Sequence, residues 1–187
     1  QVVRDGYAAY DFQGVFQALF QFATIDLSAF YFDIRKDALY CDGDTSLGRR
    51  AALTVLDQLF HSLTTWLAPI LVFTMEEVWL ERFPGETSSI HLQDMPELPV
   101  EWLDPALWAK VEAQRKVRRV VTGALEIERR DKTIGASLEA APVVHVPAEV
   151  AQLLDEEDFA TICITSQISI TTDPAPAEAF RLPEVPE

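Results

Sequence analysis

The segment Asp104–Arg130, DPALWAKVEAQRKVRRVVTGALEIERR, decides the fold class because it predicts one long amphipathic helix. Asp104 before Pro105 is a typical helix start, since the aspartate caps free amides and proline fits the first turn. At about 100° per residue, one side of this helix collects apolar residues, namely Val117, Val120, Val121, Ala124 and Ile127. The opposite side collects arginines, namely Arg115, Arg118, Arg119, Arg129 and Arg130. We therefore expect a buried valine face and a solvent-facing basic face.

Helical patterns also fill the preceding part of the chain. Residues 7–39 repeat aromatic and aliphatic side chains at helical spacing, with a bend or interruption expected at Asp26–Ser28. A second helix is predicted over 47–67, with Ser46 as its N-cap and Pro69 after its end. Thr74 to Glu77 has the capping-box pattern and predicts a short helix that stops before Pro84. Together these helices predict a helical bundle over residues 1–132.

The texture of the sequence changes after Gly135. Short β-branched runs at 143–146, 161–165 and 168–172 predict strands, and 149–154 predicts a helical turn or two. Residues 133–172 are therefore expected to form a small α+β subdomain, and 173–187, rich in Pro, Ala and Glu, a linker. The predicted fold class is mainly α, a helical bundle followed by a small α+β appendix.

The charge distribution restricts the partners that this chain can bind. The net charge of −15 argues against a generic nucleic-acid binder, because phosphate affinity comes from Lys and Arg. Residues 1–132, however, hold 14 of the 15 basic residues, and eight of these lie between Lys110 and Lys132. A polyanion would therefore bind the first part of the chain. The alternative is a solvated helix face, on which Glu126 pairs with Arg130 one turn away.

The cysteine and histidine spacing does not suggest a metal site. The two cysteines and three histidines form no CxxC or HxxxH pattern, so no zinc site is predicted. Two lone cysteines fit a reducing compartment, which favours the cytoplasm. The longest apolar run, 66–73, is too short to cross a bilayer, and no membrane partner is expected. The chain begins at Gln1 without a signal sequence, and we expect it to be part of a longer protein.

Acidic and aromatic residues give weaker signals. Asp33 and Asp37 lie one helical turn apart, but helix-surface charge explains this spacing better than acid–base catalysis. Asp42-Gly43-Asp44 resembles half of a calcium loop without its bidentate glutamate, so a turn is the better interpretation. The four tryptophans have helical core spacing and are predicted to be buried. No catalytic residue is predicted.

Several segments resemble class I isoleucyl-tRNA synthetases. LSAFYFDIRKDALYCD, residues 27–42, is similar to a motif at the start of their anticodon-binding domain. Further similar segments follow in the same order, namely RRAALTVL (49–56), WLAPILVFTMEEVW (66–79), SSIHL (88–92), VTGALEIERRDKTIGASLEA (121–140) and ITSQISI (164–170). Leucyl-, valyl- and methionyl-tRNA synthetases share the bundle and a WLAP-like segment, whereas the FYFDI and IGASLEA segments favour the isoleucyl family. Ala38 and Ala136 depart from the family pattern, where Arg and Ser are expected.

The resemblance implies recognition of RNA, with the chemistry elsewhere in a longer synthetase. The chain would bind the anticodon stem–loop of an isoleucine tRNA, and the rest of the synthetase would bind ATP and, in many members, zinc. The residues expected to contact RNA phosphates are Arg115, Arg118, Arg119, Arg129, Arg130 and Lys132, with Arg49 and Arg50 second. A helical protein-interaction module is the alternative from another functional class.

Overall fold

The structure is a computed structural model that describes residues 1–183, so residues 184–187 of the predicted linker lie outside the described part. The chain divides into two compact units, Gln1–Pro99 and Val100–Glu187. The predicted fold class is confirmed, since the chain is mainly helical with a small two-stranded sheet.

The first unit is built from five α-helices. These are α1 (Val2–Ala8), α2 (Phe12–Gln21), α3 (Asp33–Tyr40), α4 (Leu47–Leu67) and α5 (Val72–Arg82), with a π-helical segment over Phe22–Phe32 and a 3-10 turn over Ile90–Leu92. The bounds predicted for α4 are confirmed, and the Ser46 side chain accepts a hydrogen bond from the amide of Arg49 at 3.3 Å. The capping-box prediction at Thr74 is wrong, because α5 begins two residues earlier, after Leu71.

The helix from Phe12 to Tyr40 is continuous, and its geometry changes in the middle. The residues expected to bend or interrupt it, Asp26 to Ser28, lie inside the π-helical segment, so the helix widens without ending. By length and composition alone this stretch could cross a membrane, a test that core helices of soluble proteins also pass. Most of its side chains are not buried within this chain, and the absence of a membrane partner stays a prediction.

Two apolar clusters hold the first unit together. One is formed around Val15 by α1 and α2, with Trp66 of α4 against it. The other is formed around Trp79 and Ile90, where the indole of Trp79 donates a hydrogen bond to the Ser88 hydroxyl. The prediction that all four tryptophans are buried is wrong, because Trp102 and Trp108 are exposed.

The second unit is organised by the long helix. It contains α6 (Pro105–Arg130), β1 (Val143–His145), α7 (Ala148–Ala151), α8 (Glu156–Cys163) and β2 (Ser169–Thr171), with 3-10 turns over Val100–Trp102 and Ser137–Glu139. The start of α6 is as predicted, since the Asp104 carboxylate accepts from the amides of Ala106 and Leu107 at 3.0 and 2.9 Å. The two strands pair in parallel, with Val144 opposite Ile170.

The strand predicted over 161–165 is wrong, because these residues form the end of α8 and the turn after it. Asp155 caps α8 by accepting from the amide of Asp158, and three acidic residues in the first turn favour the helix dipole. Phe159 and Cys163, one turn apart, then point into the core beside Val121 of α6. Burial of this helical face outweighs the β-propensity of Thr161 and Ile162.

The long helix and the tail differ from the predicted organisation. The contacts of α6 group it with the appendix, whereas the sequence placed it in a bundle ending at residue 132. In the predicted linker, the Phe180 ring packs on Gly123 of α6, where an added Cβ would lie 2.9 Å from the ring. Arg181 donates to the carbonyl oxygens of Ala175, Pro176, Ala177 and Ala179.

Candidate RNA-binding surface

The basic face of α6 has the predicted orientation, but its arginines have different environments. Val117 and Val121 are buried on the opposite side, against the appendix. Arg119 is exposed, and within residues 1–183 its side chain forms no ion pair. Arg115 and Arg118 are half-buried. Arg119 is therefore open to solvent, whereas Arg115 and Arg118 lie closer to the packed side of the helix.

Arg118 connects α6 to the appendix. Its Nε atom donates a hydrogen bond to the carbonyl oxygen of Ile162 at 2.8 Å. This carbonyl lies in the last turn of α8, where a positive side chain also favours the helix dipole. Ile164, just after α8, adopts the left-handed conformation that ends the helix. The bond to Ile162 gives Arg118 a role in holding the second unit together.

Cys163, next to this bond, is expected to resist thiol reagents. Burial raises the pKa of its thiol from 9.0 to about 12, and the nearby Arg118 opposes the shift only in part. At about pH 8 a disulfide reagent should therefore label exposed Cys41 and leave Cys163 unmodified until urea unfolds the chain. Folding raises the pKa of the Cys163 thiol, so burial of the neutral thiol also contributes to the stability of the folded chain. This contribution is complete below pH 9.0 and is lost as the pH rises towards 12. Labelling of both thiols in the native chain would contradict the burial.

The end of α6 forms a polar cleft of about 470 Å³. It is lined by Glu126, Arg129, Arg130, Lys132, Ile134 and Gly135. Glu126 pairs with Arg129 at 2.8 Å, so the predicted pairing with Arg130 is wrong, and Arg130 contacts Asp131 at 3.2 Å. Surface ion pairs of this kind are weak, so both arginines remain open to exchange of partners. Three cations therefore converge on one cleft, with acids beside them.

Arg49 and Arg50 also differ in their contacts, since only Arg49 is bonded to the neighbouring loop. Arg49 donates to the carbonyl oxygen of Asp42 at 2.8 Å and forms an ion pair with Asp44 at 3.3 Å. The hydroxyl of Ser46 donates to the Asp42 carboxylate at 2.7 Å, which closes the turn. Arg50 is exposed and forms no ion pair among the described residues. Arg49 thus stabilises the loop before α4, and Arg50 is free to contact a ligand.

Among the acidic candidates, Asp33 and Asp42 have side-chain contacts within the described residues. Asp33 binds Lys36 at 2.8 Å, and this hydrogen bond raises the pKa of the lysine. Within the described residues, no group of three or more His, Cys, Asp or Glu side chains could hold a metal ion. The turn interpretation of Asp42-Gly43-Asp44 agrees with the contacts of Asp42 to Ser46 and Arg49.

An aromatic cluster forms around Arg82 and is not evident from the sequence pattern. The guanidinium carbon of Arg82 lies 4.6 Å from the centre of the Phe60 ring and 5.0 Å from that of Phe83. Asp57 accepts a hydrogen bond from the same guanidinium. Asp57 and Arg82 are 25 positions apart in the chain, so helical periodicity alone does not predict their contact.

Comparison with known proteins identifies the kind of domain. The family model described as the anticodon-binding domain of tRNA ligase matches residues 1–145. An isoleucine–tRNA ligase of Ruegeria pomeroyi is 69% identical over 184 residues, 98% of this chain and 19% of the relative. Isoleucine–tRNA ligases of Agrobacterium fabrum and Brucella abortus are 59% and 53% identical, each over 99% of this chain and 19% of the relative. The chain thus spans about 19% of the length of the curated relatives it matches.

Proposed function

Because this chain belongs to the anticodon-binding domain family of tRNA ligases and corresponds to that region of isoleucine–tRNA ligases, we propose that it holds the anticodon stem–loop of an isoleucine tRNA. The basic face of α6 on an otherwise acidic chain carries this proposal. Lys and Arg fix the position of an RNA by contacting phosphates, and hydrogen bonds and stacking to unpaired bases supply the specificity.

All eight basic residues predicted from the sequence are proposed to contact RNA phosphates, but their roles differ. The cations open to solvent are the primary contacts, namely Arg119, Arg50 and Lys132. Arg129 and Arg130 exchange their weak ion pairs for phosphates at the cleft. Arg115, Arg118 and Arg49 lie at the packed edges, where they support the surface and contact RNA with the remaining part of the side chain.

The rest of the ligase supplies the chemistry in this proposal. The parent protein would couple isoleucine to tRNA with ATP, using catalytic residues outside this chain, and any zinc would bind there as well. Its site of action would be the cytoplasm, where tRNA is charged. The exposed apolar side chains between Phe12 and Tyr40 suit packing against other parts of the ligase chain.

Binding to an isoleucine tRNA beside an anticodon-swapped variant, at two salt concentrations, tests the proposal. We expect both RNAs to bind at low salt, because phosphate contacts do not depend on sequence. At higher salt the isoleucine anticodon should retain the tighter binding, because base contacts are screened less than phosphate contacts. Equal, weak binding of both RNAs at both concentrations would argue against anticodon recognition by this chain.

A further inference from the structure

The tail of the second unit crosses α6 on the basic side of this helix. The Phe180 ring packs on Gly123, where an added Cβ would lie 2.9 Å from the Cε1 atom of the ring and 3.0 Å from its Cζ atom. At about 100° per residue, Gly123 lies about 40° from Arg119 and about 20° from Arg130 around the helix. The ring therefore covers the middle of the basic face, between Arg119 and the cleft at the end of α6.

Hydrogen bonds within the second unit shape the tail for this contact. At its start, Nδ1 of His145 in β1 donates to the carbonyl oxygen of Asp173 at 3.0 Å. Further along, Arg181 donates to four carbonyl oxygens between residues 175 and 179, which folds the tail into a turn. The Phe180 ring projects from this turn and is half-buried. The tail is therefore tied to the sheet at its start and to α6 by one aromatic ring.

The ring also explains why a glycine stands at position 123. Glycine is the least favourable residue in a helix interior after proline. The backbone of Gly123 is helical and has no positive φ, so its conformation does not require glycine. What an alanine would lack at this position is the space that the Phe180 ring occupies.

We propose that residues 173–183 form an autoinhibitory strap, which competes with RNA phosphates for the basic face of α6 and is displaced when RNA binds. The competition rests on the function proposed above, whereas closure of the strap does not require RNA. An RNA strand that runs along α6 from Arg119 to Arg130 spans about 16 Å at 1.5 Å per residue. Phe180 lies between these two cations, so the ring and the RNA backbone compete for the same space.

The charge of the tail acts in the same direction. Residues 173–187 hold four acidic residues and one basic residue, which gives this segment a net charge of −3. A negative segment is attracted by the arginines of α6 and repels the phosphates of an RNA backbone. Steric overlap and like charge therefore both oppose binding of RNA to the closed form.

The strap is held weakly enough for a ligand to displace it. Most of residues 173–183 are exposed, and the Phe180 ring is only half-buried. Segments with few buried apolar contacts open locally at a small cost in free energy. When only the open form binds a ligand, the apparent affinity falls in proportion to the fraction of open chains. The strap therefore lowers the affinity for RNA without abolishing it.

Trypsin cleavage after Arg181 measures whether the strap is closed, because this is the only basic residue after Lys132. Mass spectrometry follows the loss of residues 182–187 from the 187-residue chain. Proteolysis tracks the population of the open form when opening is fast. In the absence of RNA, Phe180→Ala and Gly123→Ala should each raise the initial cleavage rate about three- to fivefold, because each removes the contact between the ring and α6.

Two features of these variants exclude a general loss of structure. Gly123→Ala leaves the tail sequence unchanged and improves the helix propensity of α6, so unfolding does not explain faster cleavage. Phe73→Ala is the matched control, since it deletes the same side chain as Phe180→Ala from an exposed position in the first unit. It should leave the cleavage rate unchanged. Equal rates in the unmodified chain and all three variants would overturn the closed strap.

Binding of an isoleucine tRNA at low salt tests the competition. Phe180→Ala and Gly123→Ala should bind about three- to fivefold more tightly than the unmodified chain and Phe73→Ala, because more of their chains are open. Saturating tRNA should speed the cleavage after Arg181 in the unmodified chain and change it little in Phe180→Ala. Unchanged affinities, or protection of Arg181 by tRNA, would overturn the competition. If no chain bound tRNA, the anticodon-binding function itself would be contradicted, and the cleavage rates would still decide whether the strap is closed.

Discussion

Replacement of Phe159 by alanine is expected to lower the free energy of unfolding by about 3–5 kcal/mol. Phe159 is 0% exposed and packs in the cluster that joins α6, α8 and the two strands. Its removal leaves a cavity among Val121, Val144 and Ile168, which cannot collapse without moving the sheet. Urea denaturation followed by circular dichroism measures the change, which should appear as a shift of the transition to lower urea.

Phe73→Ala is the matched control for this variant. It deletes the same side chain from α5, where the ring is 84% exposed. Its effect should stay within about 0.5 kcal/mol, because an exposed ring gives up little contact on truncation. A loss below about 1 kcal/mol for Phe159→Ala would mean that the appendix is not packed on α6 in the way described, and the support for the basic face would then be lost as well.

The sequence predicted elements best where local signals and burial agree. Ser46 and Pro69 predicted the start and the end of α4, and Asp104 predicted the start of α6. These signals are reliable because caps and prolines act on their own helix. The end of α8 could not be predicted in this way. Its β-branched residues favour a strand, and only the burial of Phe159 and Cys163 against α6 makes the helix the more stable choice.

The sequence predicted the basic face of α6 but not the long-range contacts of its arginines. Periodicity places both Arg118 and Arg119 on the side of α6 away from the valines, although the two residues lie about 100° apart around the helix. Periodicity cannot indicate that the carbonyl oxygen of Ile162, 44 residues later, accepts a hydrogen bond from the guanidinium of Arg118. The same holds for Arg82, whose position over Phe60 depends on the packing of α5 against α4. Long-range contacts therefore decide which cations remain available to a ligand.

These contacts predict that Arg119 and Arg118 have separable roles. Arg119→Glu should weaken binding to an isoleucine tRNA by about tenfold or more at low salt, because it replaces a charge-assisted phosphate contact with repulsion. The slope of log affinity against log salt concentration should also become shallower by about 1, the value for the loss of one phosphate contact. The stability of the chain should change little, since Arg119 is exposed.

Arg118→Ala should mainly lower the stability of the chain and change the salt dependence of RNA binding less. Loss of its bond to Ile162 should lower the free energy of unfolding by about 1–3 kcal/mol, because a half-buried carbonyl at the end of α8 loses a charged donor. The salt slope should stay closer to that of the unmodified chain than the slope of Arg119→Glu does. Filter binding over a salt series and urea denaturation of the same samples measure the two quantities side by side.

Lys110→Glu is the control that separates a local contact from general electrostatics. It changes the net charge by the same amount as Arg119→Glu, on the same helix, but at about 100° per residue it lies on the opposite side. If RNA responded only to the total charge of the chain, both reversals would weaken binding equally. If the basic face of α6 contacts the phosphates, Arg119→Glu weakens binding several-fold more than Lys110→Glu. Equal losses would therefore remove the basic face from the site, whatever the affinity of the unmodified chain for tRNA.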